Sequence, residues 1–246
     1  MIPIERIIAK LEYHFGQEDL ASARSLLEYW AGEARSTRDE RGLIEILNEQ
    51  LGLYRRLNDE GASSRTIEEL VPLLRAGGWL ETLSGATMLL NVATNYCHFG
   101  HPEQAGPLYP EVEATFDKML PAYEYRRAGL ANNRAASLCA QGRYEEAAEL
   151  YGKALEQLRH LEGYLPEVAV SLVNRATARY QAYPLDERVD EDMQQAYRVL
   201  TSGLAEDSNY IFVLGKLIPI YAHLGYKTEA EDLAKRKAAA QAGAKA

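Results

Sequence analysis

The feature that most constrains this chain is a register. Tyr54, Tyr96, Leu138 and Tyr180 stand 42 residues apart, and Tyr221 comes after a further 41. Four residues beyond each lies Asn58, Gly100, Gly142, Pro184 or Gly225. Glycine and asparagine take the left-handed conformation that closes a helix, and proline cannot continue one. The segment after each stop also recurs: Ala105, Ala147 and Ala230 each lie five residues past their glycine. A period of this length is the signature of a repeat architecture, and 246 residues hold about six periods.

Each period reads as a helix, a tight turn and a second helix. Alanines in the second helix allow close backbone approach, while Tyr and Leu fill the space between hairpins. A single hairpin cannot bury its apolar face, but a stack buries a continuous core. The expected units span about 3–35, 40–76, 79–119, 123–161, 166–206 and 209–240. They form one domain over 1–246, an all-α, right-handed α-solenoid. Two stretches cut against continuous helices. Gly106, Pro107 and Pro110 predict a broken second helix in the third unit, and Pro219 a bend in the sixth.

The stretch Gly142-Arg-Tyr-Glu-Glu-Ala-Ala-Glu-Leu-Tyr-Gly-Lys-Ala-Leu155 is similar to the tetratricopeptide (TPR) consensus. In that consensus a glycine ends the first helix and alanines recur in the second. The 42-residue period resembles the longer variant of kinesin light chains and bacterial peptide-sensing regulators. Leu90-Asn91, Asn132-Asn133 and Val173-Asn174 stand where that variant carries Leu-Asn or Asn-Asn. The chain also resembles small bacterial proteins made only of such repeats. The resemblance covers roughly residues 5–240. It implies a scaffold or adaptor that binds a protein or peptide on its concave surface. The alternative is a peptide-sensing regulator whose pitch changes on binding. No helix-turn-helix segment precedes the repeats, and the Lys/Asn/Arg set with which some TPR proteins clamp a C-terminal carboxylate is not in its slots.

Net charge is −9, which opposes a general affinity for nucleic-acid phosphate or acidic membranes. Two cysteines, Cys97 and Cys139, are too few for a disulfide scaffold and are expected unpaired. Without a leader-like N-terminus or a long apolar run, the expected address is cytoplasmic. No phosphate loop, zinc pair or nucleophile elbow is present, so the chain reads as a non-enzyme without cofactors. Cys97-His98 and His101 straddle a helix end with no second cluster nearby, which argues against a metal site.

The candidate ligand residues are Asn91, Asn133 and Asn174, one on the first helix of each of three successive units. An amide offers both donor and acceptor to an extended peptide backbone. The competing reading is that these amides brace neighbouring hairpins. Asn48, six residues before its tyrosine where Asn91 is five, fits the set less well, and Asn174 shares that six-residue offset. Arg134 and Arg175 each come directly after an asparagine and would favour acidic ligands. Pairing with glutamates of adjacent helices is their alternative role. The recurring tyrosines are expected in the core.

Overall fold

The computed structural model describes residues 2–204 and 207–243. The chain divides into two compact units, Met1–Met119 and Leu120–Ala246. The first contains α1 (Ile4–Gly16), α2 (Leu20–Thr37), α3 (Glu40–Leu57), α4 (Glu60–Ala76), a 3-10 turn (Trp79–Glu81), α5 (Leu83–His98), α6 (Pro102–Ala105) and α7 (Leu108–Met119). The second contains α8 (Tyr125–Ala140), α9 (Tyr144–Leu158), α10 (Leu165–Ala182), α11 (Arg188–Leu200), α12 (Ser208–His223) and α13 (Lys227–Gly243). No strand occurs among the described residues. Within each unit the helices pair as hairpins. We call α1, α3, α5, α8, α10 and α12 the A helices and their partners the B helices.

The register has a structural cause. Gly100, Gly142 and Gly225 have φ of 85°, 74° and 94°, and Asn58 has φ 51°. The residue after each left-handed position turns its N–H back onto the register residue. His101 donates to the Tyr96 carbonyl at 2.8 Å, Arg143 to Leu138 at 2.9 Å, Tyr226 to Tyr221 at 2.9 Å and Asp59 to Tyr54 at 2.9 Å. This bond spans five residues and satisfies a carbonyl that the helix end would leave orphaned. Pro184 works differently. It forces the residue before it out of the helical region, and Tyr183 is extended at φ −152°, ψ 104°.

Starts are fixed as firmly as stops. Asp19, Asp39 and Asp59 precede α2, α3 and α4. Their carboxylates accept the N–H of Ser22 at 3.0 Å, Gly42 at 3.0 Å and Ala62 at 2.9 Å. Asp39 also accepts the Ile2 N–H at 2.6 Å, tying the segment before α1 to the second hairpin.

The core is built from A-helix leucines and B-helix alanines. Ala23, Leu27, Ala31, Ile44, Leu47 and Leu51 are sealed in the first unit. Ala169, Leu172, Ala176, Met193, Ala196, Leu214 and Tyr221 form the core at the end of the second. Of the register residues, Tyr54, Leu138 and Tyr221 are buried, and Tyr96 and Tyr180 are half-buried. The second helix of the third hairpin is broken as expected, because α6 stops at Ala105 and α7 starts at Leu108, across Gly106 and Pro107. At Pro219, where a bend is expected, α12 runs on as one helix from Ser208 to His223. Burial of Leu214, Leu217 and Tyr221 around it holds the turn despite one missing donor. Cys97 and Cys139 are both free thiols.

These helix ends carry two expectations. Gly142→Ala should lower stability by about 1 kcal/mol, because its φ of 74° costs an L side chain that much; a urea melt reads it. Asp39→Ala should cost about 1 kcal/mol at neutral pH. The Ile2 and Gly42 N–H groups hold the Asp39 carboxyl below the usual carboxylate pKa. Its stabilisation is therefore complete above about pH 4 and fades as pH falls through the folded value. The gap between wild type and variant should narrow as pH falls below about 4, and a gap that stayed constant would show that the charge plays no part.

Candidate functional site

On the A-helix side of the first unit, the Asn91 amide donates to Asn48 Oδ1 at 2.9 Å, joining α5 to α3. Asn48 donates in turn to Glu49 Oε1 at 3.2 Å. Behind them Asn95 donates to the Asn91 carbonyl at 2.8 Å and accepts the Ser63 hydroxyl at 3.0 Å. Burial raises the Glu49 pKa, and Glu12 and Glu45 push it the same way against the Asn48 bond. One donor of Asn91 is therefore spent on bracing, while its side-chain oxygen makes no hydrogen bond.

In the second unit the corresponding brace uses a different residue. Asn132 donates to the buried Ser171 hydroxyl at 2.9 Å, joining α8 to α10. Asn132 stands six residues before Leu138, the same offset as Asn48 from Tyr54. The offset alone does not mark a brace, since Asn91 braces from five residues before Tyr96 and Asn174 stands six before Tyr180. Asn133 and Arg134 are half-buried and both have partners inside the protein. Asn174 is half-buried on α10, three residues from Ser171 and so on nearly the same helix face. Its amide makes no hydrogen bond within the described protein.

Arg175 points elsewhere. Successive helix residues differ in direction by about 100°, and Arg175 reaches between the B helices. It grips Asp192 of α11 with two bonds, Nη2 to Oδ1 at 2.6 Å and Nε to Oδ2 at 3.0 Å. Arg179 adds a third, Nη1 to Asp192 Oδ2 at 2.6 Å. The Asp192 side chain is 3% exposed, those of Arg175 and Arg179 20% and 16%. The two guanidiniums floor a cleft of about 860 Å³ whose walls include Glu149, Gly152, Tyr183 and Leu185. The structure thus separates Asn174 from Arg175, although they are neighbours in sequence. Asn91, Asn133 and Asn174 share the A helices, and Arg175 opens to the B side.

The first unit has a cleft in the equivalent position, between α2 and α4 over α3, but its charges are matched across helices. Arg24 pairs with Asp59 at 3.0 Å and Arg35 with Glu69 at 2.6 Å. Arg56 stacks on Phe15 at 4.3 Å. Arg55 keeps a buried Nη1 without a hydrogen bond, and burial lowers its pKa. His101 pairs with Glu60 at 2.7 Å, which links the third hairpin to the second and raises the His101 pKa. Among the described residues no cluster of three His, Cys, Asp or Glu side chains is arranged to hold a metal, and no helix is long and apolar enough to cross a membrane.

The sequence matches no family model and no curated protein. Solved structures do match. BtubC (BKLC) from P. vanneervenii superposes with a TM-score of 0.71 at 20% identity, over 81% of this chain and 80% of that one. Kinesin light chain TPR-like repeats from Podosopora anserina align over 87% of this chain and 97% of theirs, with a TM-score of 0.59 at 21% identity. The apo form of the quorum sensor NprR from B. thuringiensis gives 0.62 at 14% identity, over 96% of this chain; this chain spans only 64% of that protein. The fold is therefore all-α, a helical repeat of the TPR-like solenoid kind.

The Asp192 cluster yields a direct expectation. Asp192→Ala leaves two half-buried guanidiniums facing each other without a counter-ion and should cost about 3 kcal/mol. Chemical denaturation would read the loss, and an unchanged midpoint would mean that water replaces the carboxylate without penalty.

Proposed function

We propose that this protein is a repeat scaffold that binds a protein or an extended peptide along its A helices. The observation that carries the reading is Asn174: a half-buried amide on the A-helix side of α10 whose hydrogen-bonding capacity the fold leaves unused. The amide is open to solvent rather than sealed in, so a ligand backbone, with its own N–H and C=O, would find both its donor and its acceptor available. Within the second unit Asn133, with Arg134 beside it, would extend the same mode of contact; on the first unit the open oxygen of Asn91 offers a contact of the same kind. Extended peptides advance about 3.3 Å per residue, so amides on successive hairpins would meet the backbone every few residues. The TPR-like architecture supports a binding role, since its relatives in fold include light-chain repeats and a quorum sensor. Likeness to that sensor over nearly the whole chain favours, as a second reading, a peptide-responsive regulator, which would change its radius of gyration on binding.

Panning a random dodecapeptide library on the immobilised full-length protein supplies the test. Selected peptides should bind Asn174→Ala up to about tenfold more weakly, the worth of one or two amide bonds. The melting temperature of that variant should not move, because no internal bond is lost. Asn91→Ala should instead lower the melting temperature, since it removes the brace to Asn48. Selected peptides that bind Asn174→Ala as tightly as wild type would remove Asn174 from the site.

A further inference from the structure

We propose that the cleft between α9 and α11 in the second unit receives a single carboxylate, carried by a peptide segment whose neighbouring residues are apolar or basic. This goes beyond the A-helix reading, because it concerns the opposite side of α10 and can fail or hold independently of it.

The case begins with a charge count. Asp192 is one anion held between two cations, Arg175 and Arg179. The floor of the cleft therefore carries one uncompensated positive charge. Burial lowers the Arg179 pKa, and Arg175 and Arg188 act in the same direction, together outweighing the help from Asp192 and Asp186. Asp186 also lines the cleft, but its carboxylate is engaged with Arg188 at 2.7 Å. Glu145, Glu149 and Glu187 also line the cleft, but none forms an ion pair with either floor arginine. The floor is short of one negative charge at contact distance.

Valence says the same. Arg175 spends Nε and Nη2 on Asp192, and its Nη1 has no partner. Arg179 spends only Nη1, on Asp192 and more loosely on the Arg188 carbonyl at 3.4 Å, leaving Nε and Nη2. These unspent nitrogens are not sealed in: the buried partnerless side-chain atoms among the described residues are Arg55 Nη1 and Gln157 Oε1. Both arginines line the cleft and both are held by Asp192, so a ligand carboxylate would meet guanidiniums already fixed in place rather than two mobile side chains. Gly152 on α9 keeps the approach open. A Cβ placed there would sit 3.6 Å from Arg175 Nη1, so any longer side chain would cover it.

The rim sets the selection. Exposed Glu145, Glu149 and Glu187 repel a second negative charge while leaving the inserted one to the floor, where burial makes its attraction stronger. They favour lysine or arginine beside it. Tyr183 and Leu185, 58% and 77% exposed around Pro184, offer an apolar wall to a neighbouring leucine-sized residue. A polyacidic run or a phosphate dianion fits this pattern poorly.

The test uses the nitrogen-15-labelled full-length protein and the peptide acetyl-Lys-Leu-Glu-Leu-Lys-amide. The arginine Nε–H resonances of Arg175 and Arg179 should shift saturably on titration. The same peptide with Gln in place of Glu should bind about tenfold more weakly, as expected for loss of a charge-assisted pair. Acetyl-Glu-Leu-Glu-Leu-Glu-amide and inorganic phosphate should both bind more weakly than the single-Glu peptide. Gly152→Leu should abolish the shifts without lowering the melting temperature, because leucine is the better helix former and the Asp192 cluster is untouched. Unmoved arginine resonances, equal binding of the Gln peptide, tighter binding of phosphate, or full binding to folded Gly152→Leu would each overturn the proposal.

Discussion

The bond that closes each A helix underlies the repeat. A residue in the left-handed conformation reverses the chain, and the next N–H returns to the carbonyl of the register residue five positions back. Helix length, turn and register residue are thereby locked together. The aromatic or leucine at the register position anchors in or beside the core while its own carbonyl receives the returning chain. Hydrophobic burial supplies the driving force for stacking, but it is non-directional. The closing bond converts it into a repeat, since it decides where each B helix begins. At Pro184 the steric effect of proline on Tyr183 takes over, and there the loop is long enough to contribute exposed Tyr183 and Leu185 to a cleft.

A single A helix serves two surfaces with different chemistry. Toward neighbouring A helices the contacts are neutral: amide to amide at Asn91 and Asn48, amide to hydroxyl at Asn132 and Ser171. Toward the B helices they are ionic. In the first unit the pairs run from one B helix toward the next: Arg24 of α2 has two carboxylate partners, Glu28 and Asp59, and Arg35 of α2 pairs with Glu69 of α4. In the second, two arginines of α10 share one aspartate of α11. Neutral bonds between half-buried groups cost little desolvation and fix the stacking of hairpins, whereas a charge imbalance in a half-buried place stores an unmet demand for an anion.

The alternation of helix and turn was legible because its cues are local: glycine or asparagine at a helix stop, proline after a helix, apolar residues at helical spacing. The break at Gly106–Pro107 was legible for the same reason. What carries α12 through Pro219 is not local: Leu214, Leu217 and Tyr221 are buried around it. Nor did the register reveal the caps at Asp19, Asp39 and Asp59, whose 20-residue rhythm is set by helix length and not by the 42-residue period.

Sequence alone determined that this chain is a stack of helical hairpins, with asparagines on the first helices and arginines beside some of them. Tertiary structure decided which of these groups remain available. Asn133 or Asn132, Asn174 or Arg175: each choice turns on one residue, about 100° of helix rotation. The periodic pattern, uneven by one residue between units, does not resolve that angle. Only the packed helices show Asn91 spent on Asn48, Asn132 on Ser171, and Arg175 turned away from Asn174 toward a buried aspartate 17 residues further along the chain.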